Sequence, residues 1–181
     1  MSALALGRSA PHVVADAYVR GVERPQHTAL ADYAGKWIVL FFYPRDFSAV
    51  CPDELQAFGA LHDAFEAEDA VVLGASTDGY WSHRAWFESH TVLRDIRYPV
   101  LADPAHELSA AYGVLLQDGS ALRATIVIDP EGEVRHLRAN DTATTVGRSP
   151  DETLRVLQAL RTGGLSPTGW RPGQPSLADA A

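Results

Sequence analysis

The chain has 181 residues, 46% of them hydrophobic and 21% charged, which fits one globular domain with a substantial core. Its net charge is −8 and it has no basic run, which argues against nucleic-acid binding. No apolar stretch approaches the roughly 18 residues of a membrane helix. The N-terminal residues do not resemble a signal peptide, so we expect a cytoplasmic protein.

Strands and helices are predicted to alternate as far as Gly113. Short continuous apolar runs predict buried strands, and apolar residues at helical spacing predict amphipathic helices. The predicted strands lie near 13–19, at 37–42, at 70–75 and at 98–101. The predicted helices run from Pro52 to about Glu66, from a cap at Thr77 or Asp78 to about Ser89, and from Asp103-Pro104 to Gly113.

The rest of the chain predicts a β-hairpin, one more helix and a tail. Residues 122–128 and 133–138 flank the turn Asp129–Gly132, and Ser149-Pro150-Asp151-Glu152 is a capping box. This element order predicts an α/β protein with a mixed central sheet flanked by helices, as in the thioredoxin-like fold. We expect a domain at 1–165 and an extended C-terminal tail at 166–181.

Cys51, the only cysteine, lies between the predicted buried strand and a predicted helix that opens with Pro52. A lone cysteine is most often a small buried apolar residue. At a helix N-terminus, however, unpaired N–H groups and the helix dipole stabilise a thiolate, which is the nucleophilic form. The sequence therefore predicts a reactive thiol, and with one cysteine no disulfide within the chain can form.

Glu54 conflicts with this prediction unless a cation neutralises it. It lies one helical turn after Cys51, so its carboxylate should oppose a thiolate. Two arginines are candidates: Arg123, which precedes an apolar strand, and Arg148, which precedes the helix cap Ser149. The alternative for each is an ordinary exposed arginine.

Two residues of the loop before Cys51 complete the candidate site. The hydroxyl of Ser48 is placed to donate to a thiolate or a bound oxygen, and Pro44 is placed to stiffen the loop and exclude water. The alternatives are a plain loop serine and a strand terminator.

The stretch from Phe42 to Glu54 resembles the active-site motif of the peroxiredoxins, the family of alkyl hydroperoxide reductases and thioredoxin peroxidases. Pro44, Ser48 and Cys51 match its proline, hydroxyl residue and cysteine.

The resemblance, which extends from about Gly7 to Leu177, implies a mechanism. The Cys51 thiolate attacks the peroxide O–O bond and becomes a sulfenic acid. Arg123 and Ser48 hold the peroxide oxygens. It implies supporting roles for Pro44, Glu54 and Arg148. It also implies a hydroperoxide substrate, an external thiol reductant (a thioredoxin-like protein or a low-molecular-weight thiol), a homodimer or a ring of dimers such as a decamer, and no cofactor.

One departure from the typical two-cysteine members is evident. Where they carry a resolving cysteine, before Pro167 and Trp170, this chain has Ser166, which cannot form a disulfide. Either the protein is a natural one-cysteine enzyme or Ser166 is an engineered replacement.

The sequence argues against two other functions and leaves three alternatives open. The seven histidines contain no i, i+4 pair, so a metal site is not predicted, and the absence of a Cys-x-x-Cys motif excludes an ordinary disulfide oxidoreductase. A redox sensor or relay, a chaperone-like ring protein, and a pathway-specific enzyme that uses the thiolate on another substrate remain alternatives.

Overall fold

The computed structural model describes residues 6–140 and 146–178; residues 1–5 of the predicted domain and 179–181 of the predicted tail lie outside the described residues. The strands are β1 (Val14–Tyr18), β2 (Gln26–Ala29), β3 (Trp37–Phe42), β4 (Ala70–Ser76), β5 (Val100–Ala102), β6 (Arg123–Ile128) and β7 (Val134–Asn140). The α-helices are α1 (Cys51–Ala60), α2 (His62–Ala67), α3 (Tyr80–Ser89), α4 (Glu107–Ala111) and α5 (Pro150–Arg161).

The strands form one mixed sheet in the order β2-β1-β5-β4-β3-β6-β7. The neighbours β3, β4 and β5 are parallel, and all other pairs are antiparallel. The predicted mixed central sheet is thereby confirmed. β2 was not predicted, because its sequence Gln26–Ala29 is polar and half exposed and carries no apolar pattern.

β3 lies inside the sheet between β4 and β6, and its alternating side chains face two cores. Val39 and Phe41 face the cluster that contains α1, α3 and α5, whereas Ile38, Leu40 and Phe42 face the cluster that contains α4. All but Trp37 of its residues are buried, as expected for a strand covered on both faces. Cys51 belongs to the first cluster, on the α1 side of the sheet.

Three helix predictions need correction. The helix expected over 52–66 is broken at Leu61, whose φ and ψ of −97° and 9° leave the helical region. Neither Thr77 nor Asp78 caps α3, which begins after Gly79. The helix expected from Asp103 begins at Glu107, and the Asp103 carboxylate instead accepts from the backbone N–H groups of residues 108 and 109.

The hairpin and last helix agree with their predicted signals. The turn after β6 is closed by hydrogen bonds between Asp129 and residues 132–133. Ser149 caps α5, because its hydroxyl accepts from the Glu152 N–H at 3.2 Å.

The expectation of an extended tail is wrong. The N–H of Leu177 donates to the carbonyl of Leu165, so the segment folds back on itself. The ring of Trp170 is buried, and its carbonyl accepts from Arg155 of α5 at 2.8 Å. Ser166 lies in a groove that this segment forms with α5 and with Trp37 at the start of β3. Within the described ranges, no helix has both the length and the apolar character needed to cross a bilayer.

Candidate active site

The chain leaves β3 at Phe42 and enters α1 at Cys51, so the thiol lies in the first turn of a helix as predicted. The preceding residue, Val50, offers no side-chain cap to the helix N-terminus. The thiol is free and fully buried. The N-terminal N–H groups and the helix dipole therefore act on a sulfur that water does not shield.

Glu54 and the two predicted arginines meet beside this thiol. Nη1 of Arg123 lies 3.4 Å from Sγ of Cys51 and 2.5 Å from Oε2 of Glu54. Arg148 reaches the same carboxylate through Nη2 at 3.0 Å and Nε at 3.2 Å, and its backbone N–H donates at 2.9 Å. Both guanidinium groups and the carboxylate are buried, with side-chain exposures of 8%, 2% and 4%. Neither arginine is an ordinary surface residue.

Arg148 also ties three elements together. Its Nη1 donates to the carbonyl of Phe42 at the end of β3 and to that of Ala124 in β6. Its guanidinium carbon lies 5.0 Å from the ring centroid of Phe41, within the range of a cation–π contact. The side chain therefore joins α1 to the end of β3 and the start of β6.

Burial and neighbouring charges shift the pKa values of Glu54 and Arg123 in opposite directions. Burial raises the pKa of Glu54, but the charge and hydrogen bonds of Arg148, with the charge of Arg123, outweigh burial and lower it below its ordinary value. Burial lowers the pKa of Arg123, yet Cys51 and Glu54 raise it overall. The carboxylate therefore stays ionised and serves to hold two cations beside the sulfur. Within the described residues, Nε of Arg123 has no hydrogen-bond partner.

The loop before Cys51 contains Pro44, Arg45 and Ser48, and their side chains lie in different surroundings. Pro44 is half-buried, two residues after the end of β3. The hydroxyl of Ser48 donates to the carbonyl of Arg45 at 3.0 Å, so its donation to Cys51 or to a bound oxygen stays a prediction. Arg45 itself points away and pairs with the exposed Asp118. Among the described residues, no group of three or more His, Cys, Asp or Glu side chains could hold a metal ion.

Sequence reasoning missed a buried polar cluster in the same loop. The carboxylate of Asp46 accepts from the side chains of Tyr43, Ser82 and His83. The available signal was an aspartate four residues after a buried strand, which needs partners if it is buried.

Comparisons with known proteins agree with this arrangement. Residues 6–137 match the model of the AhpC/TSA family. A putative peroxiredoxin of Bacillus subtilis is 49% identical over 146 residues, which are 78% of this chain and 80% of that protein. Alkyl hydroperoxide reductase C of Mycolicibacterium smegmatis is 46% identical over 146 residues, 81% of this chain and 74% of that protein.

Solved structures show the same likeness over nearly the whole chain. The reduced 2-Cys peroxiredoxin of Plasmodium vivax superposes with a TM-score of 0.88 at 35% identity, covering 94% of this chain and 91% of that one. Mycobacterium tuberculosis AhpC gives a TM-score of 0.84 at 38% identity, covering 94% and 100%. The thioredoxin-like fold predicted from the sequence is confirmed.

The charge of Glu54 should make the protein acid-sensitive. Because its pKa is lowered in the folded state, Glu54 contributes stability above its ordinary pKa and loses it as pH falls through the lowered value. Glu54→Gln leaves two buried arginines uncompensated and should cost about 3–5 kcal/mol at pH 7. That difference should shrink as pH falls from the ordinary carboxyl pKa of about 4.3 towards the lowered pKa of native Glu54, where the native carboxylate takes up its proton too. Urea unfolding at a series of pH values measures it.

Glu88→Gln is the matched control, since Glu88 is an exposed carboxylate paired with Arg84 on α3. It should change stability by less than about 1 kcal/mol at any pH. Equal losses of stability in the two variants would mean that the burial of Glu54 adds nothing to its contribution to the free energy of unfolding.

Proposed function

Because the chain belongs to the AhpC/TSA family of peroxiredoxins, which are thiol-dependent peroxidases, we propose that Cys51 reduces hydrogen peroxide and alkyl hydroperoxides. One observation carries the proposal. The guanidinium of Arg123 touches the buried sulfur through Nη1, is held there by Glu54, and keeps Nε without a partner among the described residues. A donor beside a nucleophile is what a departing oxyanion needs.

The proposed step is a displacement at oxygen. The Cys51 thiolate attacks one peroxide oxygen, an S–O bond forms, and the O–O bond breaks. The sulfur is oxidised to a sulfenic acid, and the second oxygen leaves as water or an alcohol after taking a proton. Arg123 stabilises the negative charge that moves onto the departing oxygen, which strengthens binding in the transition state over that in the ground state.

The other site residues have supporting roles in this proposal. Glu54 orients Arg123 and Arg148 through the contacts described above. Arg148 adds positive charge and fixes the end of β3. Ser48 donates to a peroxide oxygen after giving up its bond to Arg45, and Pro44 limits the access of water to the sulfenic acid.

The reductant and the assembly belong to the same proposal. A single cysteine leaves the sulfenic acid to an external thiol, either a thioredoxin-like protein or a low-molecular-weight thiol. From its family, we also propose that the protein forms a homodimer or a ring of dimers and is located in the cytoplasm. The sensor, chaperone and pathway-specific alternatives lack a comparable observation.

Arg123→Ala should slow oxidation of Cys51 by peroxide on the order of a hundred- to a thousand-fold, the usual effect of removing one oxyanion donor. Stopped-flow mixing with hydrogen peroxide measures the rate constant. Arg45→Ala is the control, since Arg45 lies in the same loop and its side chain pairs, among the described residues, with exposed Asp118. It should stay close to the wild type. Equal, small effects of the two substitutions would remove Arg123 from the mechanism.

Ser166 and Cys51 lie at opposite ends of the sheet. Cys51 contacts Arg123, the first residue of β6, whereas Ser166 shares a groove with Trp37 at the start of β3 and Asp129 after the end of β6. Six strand residues span about 17 Å. A disulfide requires Cα atoms within about 7 Å. A cysteine at position 166 therefore cannot bridge to Cys51 of its own chain.

With one equivalent of peroxide, the wild-type protein should hold a persistent sulfenic acid and no disulfide between chains. Ser166→Cys should create a peroxide-dependent bridge from Cys51 of one chain to the new thiol of another. Non-reducing electrophoresis shows the covalent dimer. The double variant Ser166→Cys with Cys51→Ser is the control and should give none. If Ser166→Cys yields no dimer band, the tail does not approach a partner's thiol as it does in two-cysteine relatives.

A further inference from the structure

The cluster around Asp46 fastens the loop before Cys51 to the body of the protein. Its carboxylate accepts from Tyr43 Oη at 2.8 Å, Ser82 Oγ at 2.7 Å and His83 Nδ1 at 2.9 Å. Nε2 of His83 lies 3.2 Å from the carbonyl of Leu101. The side chains of Asp46 and His83 are 1% and 0% exposed. The loop is thus fixed to α3 and, through His83, to β5.

Three side chains meet the carboxylate of Asp46, which as a carboxylate only accepts. The hydroxyls of Tyr43 and Ser82 donate to it, and Nδ1 of His83 lies within hydrogen-bond distance of it. Nε2 of His83 lies within the same distance of the Leu101 carbonyl. Burial, and then the charge of Asp46, raise the pKa of Tyr43 well above its ordinary value, so its hydroxyl keeps its proton and donates. Removing any one donor leaves a buried carboxylate short of partners.

The residues beside Asp46 show that the loop is held in a costly conformation. Phe47 has a φ of 54°, which is rare for a bulky residue and persists only where the surroundings enforce it. Its ring packs on Trp86 of α3, with centroids 5.8 Å apart. The backbone N–H of Asp46 donates to Asp78, which in turn accepts from the hydroxyl of Ser76. Contacts from α3 and from the end of β4 thus hold the loop at the strained residue, although Phe47 itself is 64% exposed.

We propose that Asp46, Ser82 and His83 are positioning residues of the thiol site, which set the rate of peroxide reduction by holding residues 44–50 against α3. The proposal rests on the proposed function and concerns how the site is held. Four residues separate Asp46 from Cys51, and this stretch contains Ser48. The groups that contact the sulfur and Glu54, namely Arg123 and Arg148, come from other parts of the chain. A loosened loop therefore changes the access to Cys51 and the place of Ser48 without removing the arginines.

Loosening should change two reactions in opposite directions. Reduction of peroxide needs the aligned loop, and a misplacement of about 1 Å can cost on the order of a hundred-fold. Alkylation by iodoacetamide needs only an exposed thiolate, and Cys51 is fully buried in the intact site. A loss of overall stability also raises the alkylation rate, because it populates open forms, but it leaves the peroxide rate of the folded protein unchanged. A fall in the peroxide rate together with a rise in the alkylation rate, and so a lower ratio of the two, therefore reports on the position of the loop.

Ser82→Ala removes one donor from Asp46 at the half-buried side of the cluster. We expect the peroxide rate to fall by about ten-fold and the alkylation rate to rise, while Ser82→Thr, which keeps the hydroxyl, restores the wild-type ratio. Ser89→Ala is the matched control: it lies on the same helix, and within the described part of the chain its hydroxyl donates to the carbonyls of Ala85 and Trp86. It should leave both rates unchanged.

Asp46→Asn, which removes the charge that His83 faces, should lower the ratio further than Ser82→Ala. An unchanged ratio in folded Ser82→Ala, or an equal change in Ser89→Ala, would overturn the proposal and leave the cluster a purely structural role. The alkylation rate is measured without peroxide. If the wild-type protein failed to react with peroxide, the proposed function would fall, while faster alkylation of Ser82→Ala would still show that the cluster holds the loop.

Discussion

The site depends on one buried carboxylate whose negative charge, if unpaired, would disfavour the thiolate form of Cys51. Glu54 shares the first turn of α1 with Cys51, so it would repel a thiolate if it stood alone. Arg123 and Arg148 reverse that effect, because both bind the carboxylate and Arg123 reaches the sulfur as well. Leaving a buried charge without its partner is costly, so α1, β6 and the segment before α5 must come together. The same contacts between Glu54 and the two arginines are thus needed for the fold and for the reactivity of Cys51.

The sheet topology explains how distant residues satisfy it. β3 and β6 are antiparallel neighbours, so the end of β3, which leads to Cys51, lies beside the start of β6, which carries Arg123. Arg148 closes the arrangement by binding the carbonyls of Phe42 and Ala124, one from each strand. On the other side of the loop, Asp46 is held by α3. The thiol therefore lies between two buried polar groups, and the tail with Ser166 lies at the opposite end of the same strands.

The sequence predicted the features that follow from local pattern. The buried strand of residues 37–42, the hairpin and the Ser149 cap depend on neighbouring residues, and the structure has them. The charge conflict at Glu54 predicted the arginine pair, because it needed only helical spacing and the cost of an unpaired charge. The cluster around Asp46 was missed because its partners lie 36 and 37 residues away on a helix whose start was misplaced. The tail was misjudged because its turns and the burial of Trp170 depend on tertiary contacts with α5.

The central claim is that one buried thiol per chain accepts one oxygen atom from a peroxide. Intact-mass measurement after one equivalent of hydrogen peroxide, with and without a dithiol, tests it most directly. Each chain should gain a single oxygen atom, the dithiol should remove it, and Cys51→Ser should gain none. A chain that stays unmodified, or a Cys51→Ser variant that gains the same mass, would show that Cys51 does not take an oxygen atom from peroxide.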